Sequence, residues 1–124
     1  MPMYNAFQMM SMQKTTLVSY NGINDQVGLS PIASVDGTGV ALLITNPNGG
    51  NVNINMINLP SAFQSGPFAS AVYLVDTNTS NYAYDTSNNG ALQQVSGGNN
   101  PAGTSFNATV TMNAAAVLLV VLTP

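Results

Sequence analysis

From Asn51 to Ile57, polar and apolar residues alternate strictly, with Val52, Ile54 and Met56 on one side and Asn51, Asn53 and Asn55 on the other. A period of two puts three apolar side chains on one face of a strand, where a helix would scatter them around its circumference. Ser105 to Met112 repeats the theme, with Phe106, Ala108, Val110 and Met112 inward and Asn107, Thr109 and Thr111 outward. Short segments rich in Val, Ile, Leu, Thr and Tyr run over Thr15 to Tyr20, Val40 to Thr45, Ala71 to Val75, Ala91 to Val95 and Ala115 to Leu122. The last is apolar on both faces and reads as a central strand covered on both sides. Turn signals punctuate the chain at Asn21-Gly22, Asp36-Gly37, Asn46 to Gly50, Gly66-Pro67, Asn89-Gly90 and Gly97 to Pro101. Only Ser61 to Gln64 suggests a helical turn. The pattern predicts an all-β protein: one β-sandwich, jelly-roll or immunoglobulin-like, of about eight strands.

The first residues depart from this pattern. Four of the six internal Met residues (Met3, Met9, Met10 and Met12) fall in ten positions, together with Tyr4 and Phe7. Read as a strand, Tyr4, Met10 and Met12 share one face and Met3, Phe7 and Met9 the other. Residues 1–14 are therefore expected as an extended N-terminal segment ahead of a sandwich over 15–124. Each large apolar side chain left in water would forgo about 1.5–3 kcal/mol, so something should cover the segment. It reads as a first strand of its own sandwich, as a disordered tail, or as a strand donated to the open sheet edge of a neighbouring copy. In the last case unpaired backbone groups are satisfied while alternate side chains fill core pockets, and the head-to-tail contact propagates into a filament.

Composition narrows the function classes. One Lys (Lys14) and four Asp (Asp25, Asp36, Asp76 and Asp85) make up 4% of the chain, against roughly a quarter in ordinary domains. Glu, Arg, His, Cys and Trp are absent, and seventeen Asn, with Ser, Thr and Gln, carry the polarity. One Lys cannot neutralise enough phosphates for nucleic-acid binding, and no polybasic membrane patch exists. The longest apolar run, Ala114 to Leu122, is too short to span a bilayer as a helix. Met1 to Met12 shows no signal-peptide pattern, so an extracellular reading takes the sequence as a mature form.

Without His or Cys the usual nucleophilic triads cannot be assembled, and zinc lacks its preferred ligands. Asp36 lies in an Asp-Gly turn and Asp25 in a loop, where turn chemistry accounts for each. Asp76 and Asp85 bracket a loop in a spacing that matches no calcium motif. The sequence thus predicts no catalytic residue, no metal and no cofactor. Asn78-Thr79-Ser80 and Asn107-Ala108-Thr109 are glycosylation sequons, and Tyr82 and Tyr84 are candidates for stacking on sugar rings.

Leu29 to Ser34 with Asp36-Gly37, Leu42 to Pro47, Ala71 to Asp76 with Ser80-Asn81, and the closing run Ala116 to Pro124 carry a resemblance over about three-quarters of the chain. They resemble the C-terminal β-sandwich domain appended to many glycoside hydrolases. That resemblance implies an ancillary, non-catalytic fold in an extracellular, carbohydrate-linked setting, and transfers no catalytic residue. Two departures stand out: the Met-rich segment sits where a barrel would precede the sandwich, and charge is nearly absent. They favour a glycosylated extracellular filament subunit, in which Met3, Tyr4, Phe7, Met9, Met10 and Met12 of one copy complete the sheet of the next. The alternative is a monomeric, carbohydrate-associated accessory domain of a secreted glycoside hydrolase, contacting polysaccharide through Tyr82 and Tyr84. A coat protein is a weaker third reading.

Overall fold

The structure, a computed structural model, describes residues 2–18, 28–80 and 91–124, with side chains from Asn5 onward. A helix, α1 (Pro2–Ser11), precedes β1 (Thr16–Val18), β2 (Ser30–Asp36), β3 (Gly39–Asn46), β4 (Gly50–Met56), β5 (Phe68–Val75), β6 (Gln93–Asn100), β7 (Phe106–Met112) and β8 (Ala116–Thr123). The eight strands form two antiparallel sheets: a six-stranded one in the order β1-β2-β3-β8-β5-β6, and the pair β4-β7. This is an all-β sandwich, as the alternation predicts.

Between the sheets lies the main core. Val40 and Ile44 of β3, Leu118, Val120 and Leu122 of β8, and Val72 and Leu74 of β5 meet Val52, Ile54, Val110 and Met112 of the pair. Phe63, from a 3-10 turn at Ser61–Phe63, packs edge-on against Phe68 at 5.2 Å between ring centres, and Phe68 against Phe106 at 6.4 Å. Such edge-to-face geometries suit the ring quadrupoles. β8 is central, with Leu118, Leu119, Val120 and Leu122 fully buried, because both faces of its sheet are covered.

The hairpin joining β2 to β3 depends on one glycine. Gly39 has φ +149°, and a Cβ there would run into the carbonyl oxygen of Leu122 on the neighbouring β8. Backbone cannot give way as a flexible side chain can. Gly39→Ala should destabilise the protein by about 2 kcal/mol, a loss that chemical denaturation will measure.

Three elements differ from the sequence reading. The N-terminal segment is a helix, not an extended strand. Its inward residues Asn5, Met9 and Met12 follow helical spacing, and Pro2 opens the first turn, where a missing N–H costs nothing. Read at period two, the same residues are apolar on both sides, and that ambiguity concealed the helix. β2 is a strand that alternation missed, since Pro31, Ser34 and Asp36 dilute its apolar positions. Gly97 to Asn100, expected as a turn, completes β6, which pairs with β5 through Gly97↔Ala71 and Gly98↔Ser70. The Asn21-Gly22 and Asn89-Gly90 turns lie outside the described residues.

Candidate functional site

α1 lies on the outer face of the six-stranded sheet, where fully buried Met9 joins Ala41, Leu43, Val75 and Leu119 in a second core edged by Met12, Tyr73 and Val121. Polar bonds tie both ends of the helix. Asn5 Nδ2 donates to the Ser80 carbonyl at 2.7 Å, and the Ser80 hydroxyl donates to Leu74 O and accepts from Gln93 N. At the far end the buried Ser34 hydroxyl accepts from Lys14 N and donates to Gln13 Oε1. A ten-residue helix is marginal alone, so these contacts hold it. Of the expected interface residues, Met9 and Met12 are thus spent inside the chain's own fold. Phe7 and Met10 remain outward, 62% and 53% exposed. Met3 and Tyr4 belong to the helix by backbone, and their side chains lie outside the described ones.

Asp76, at the end of β5, organises a loop junction. Its Oδ1 accepts from the backbone N–H of Asn78 and Thr79, and its Oδ2 from the backbone N–H and the side-chain amide of Asn113. Burial pushes the Asp76 carboxyl upward, but these bonds outweigh it and hold the group below the usual carboxylate range. With both oxygens engaged, this carboxylate is a structural tie rather than a reactive group. Asp36 is fixed by its own hairpin, accepting from the hydroxyl and backbone N–H of Thr38, and these bonds lower its pKa. Among the described residues no three His, Cys, Asp or Glu side chains gather as a metal site.

Asn78 is exposed, but its sequon partner Ser80 is buried with its hydroxyl engaged. Asn107 is exposed on β7 opposite Asn55, and Thr109 of its sequon donates to Asn53 Oδ1 at 2.8 Å. The two sequons occupy different loops and strands and form no common site. Tyr82, Tyr84, Asp25 and Asp85 lie outside the described residues.

A groove of about 250 Å³ opens between β5, β6 and β7. Its polar lining on the inner faces is Ser70, Ser96 and Asn100, with Asn99 and Asn107 at the rim on outward-facing register positions, and Val72, Phe106 and Ala108 lie beneath. Among the described residues no charged or titratable group lines it. The β6 part of this lining is hidden in the sequence because Gly97 to Pro101 has turn composition. The signal was nevertheless there: Ser96, Gly98 and Asn100 alternate, so they share one strand face.

No family model matches the chain, and no curated protein matches it in sequence. Solved structures match its fold. A glucosidase from Croceicoccus marinus superposes with a TM-score of 0.74 at 15% identity, over 99% of this chain and 31% of that one. A monomeric beta-xylosidase from Caulobacter crescentus gives 0.68 at 15%, over 96% and 30%. The GH39 enzyme from Xanthomonas axonopodis pv. citri gives 0.69 at 17%, over 96% and 29%. The chain therefore has the fold of a β-sandwich portion of glycoside hydrolases, and it spans about three-tenths of the length of those chains. No helix among the described residues is long and apolar enough to cross a membrane.

Proposed function

We propose that this protein is an ancillary, non-catalytic β-sandwich of an extracellular carbohydrate-active system, acting by binding rather than by bond cleavage. One observation carries the reading: nearly the whole chain superposes on a sandwich portion that makes up under a third of several glycoside hydrolases. The state of the carboxylates supports it. Glycosidases use a pair of free carboxyl groups across the scissile bond, whereas among the described residues Asp76 is buried and saturated and Asp36 serves a turn. The test is affinity electrophoresis through gels containing neutral polysaccharides, beside assays with aryl glucosides and aryl xylosides. Retention without hydrolysis is the expected result; turnover of either glycoside would overturn the non-catalytic assignment. Glycans at Asn78 and Asn107 belong to the same proposal, and mass spectrometry of protein from its natural source checks them.

Homomeric assembly is a second reading, favoured by the exposure of Phe7, Met10 and, at 72%, Leu17 of the edge strand β1. Apolar residues left outward on a helix and a sheet edge suit contact with another copy. The mode would be packing between folded subunits, since the segment expected to insert as a strand is docked as a helix on its own sheet. Sedimentation and electron microscopy decide the matter. Filaments that disappear in Phe7→Ser/Met10→Ser would establish it, and a monomer at high concentration would eliminate it.

A further inference from the structure

We infer that the groove between β6 and β7 binds an uncharged, hydroxyl-rich saccharide, a short stretch of a neutral polysaccharide chain. The choice of a sugar among neutral ligands rests on the function proposed above; the groove itself rests on how the two sheets fit together.

The sheets are unequal. Six strands face two, so the β4-β7 pair cannot cover the whole inner face, and β6 at the margin is left open. Inner positions on β5 include buried Phe68, Val72 and Leu74, while their partners on β6 are Asn100, Ser96 and Gln93, with Gly98 opposite Ser70. Where a closed sandwich would place aliphatic side chains, this one has amides, hydroxyls and a glycine. Gly97 lets β6 lie close against β5, since a Cβ there would stand 2.6 Å from the carbonyl oxygen of Ser70. A Cβ at Gly98 would meet nothing within 4 Å, so the space over it is open.

The lining chemistry selects the ligand. Carboxamides and hydroxyls both donate and accept, as do vicinal hydroxyl groups on a sugar ring. Half-buried Ala108, over the buried Val72 and Phe106, leaves a small apolar area for the C–H face of a pyranose. A phosphate, carboxylate or amine would lose hydration here without gaining a counter-charge, which disfavours it. An extended peptide would need apolar pockets for alternate side chains, and the inner face of β6 is polar instead. At about 250 Å³ the groove falls just below the usual range of small-molecule clefts, about 300–1,000 Å³. It therefore suits a local segment of a polymer held weakly.

The experiment uses the full unglycosylated chain, with cellohexaose and xylohexaose as neutral probes and polygalacturonate as the charged control, followed by amide NMR and calorimetry. Shifts at residues 96–100 and 106–108 are expected with a neutral probe and none with polygalacturonate. Ser96→Ala/Asn100→Ala, on the inner face of β6 opposite Val72 and Phe68, should weaken binding about tenfold, whereas Asn53→Ala on the outer face of β4 should not change it. Should the double variant melt early, Ser96→Tyr, which fills the groove, gives the same answer. Unchanged affinity in the groove variants would overturn the inference and leave the ancillary reading standing on another surface. No binding of either neutral probe by the wild type, together with no retention in any polysaccharide gel, would sink both. Concentration-dependent shifts at the same residues without sugar would replace the saccharide by a second copy of this chain.

Discussion

Removing residues 1–12 should leave a protein that melts roughly 10 °C lower and aggregates, not a soluble sandwich with a vacant acceptor groove. The deletion takes away fully buried Met9, half-buried Met12 and the Asn5 bond to Ser80. Burying one Met contributes about 1.5–3 kcal/mol, and the deletion also uncovers Leu43, Val75 and Leu119 on the sheet face. A total near 3 kcal/mol or more is large against the roughly 5–15 kcal/mol that holds a domain together. Met9→Ala isolates the largest share and should cost about 2–4 kcal/mol, because the cavity lies between a helix and a rigid sheet that collapse poorly. Denaturant titration with dye-binding measures both variants. If the truncated chain stays monomeric with unchanged stability, α1 is not part of the core and strand donation regains its standing.

Asp76→Ala should be similarly damaging, by about 3 kcal/mol, since it strands the N–H groups of Asn78, Thr79 and Asn113 at a junction where the carboxylate is 4% exposed. The same bonds imply a pH dependence of definite sign. The folded pKa lies below the unfolded one, so the stabilisation is complete above the unfolded carboxylate value, about 3.9, and is lost as pH falls through the folded value. Thermal stability should therefore be level from pH 8 to about 5 and fall below about 4. Asp76→Asn, which keeps one acceptor, should be less stable than the wild type at neutral pH and show a shallower acid limb. An acid limb of undiminished slope in that variant would place the titration elsewhere.

Much of the architecture could be read from local pattern. Val52-Ile54-Met56 and Phe106-Val110-Met112 declare two strands with one wet face, and the unbroken run Ala116 to Leu122 declares a strand covered on both sides. The Asp36-Gly37 turn followed from Asp chemistry and appears as Asp36 accepting from Thr38. The candidate groove was legible only as the alternation Ser96, Gly98, Asn100. Its composition imitates a turn, and pairing with β5 is what makes it a strand.

By itself, the sequence determined the fold class and excluded triads built on His or Cys, because side-chain period and the absence of those residues are local, countable properties. It also marked residues 3–12 as apolar and in need of cover. Which surface covers them was a tertiary decision. A ten-residue helix has no stability of its own, so the choice between helix and strand fell to the outer face of β3, β8 and β5, where Ala41 leaves room and Leu43 and Leu119 meet Met9. The groove was likewise decided in three dimensions, by six strands facing two.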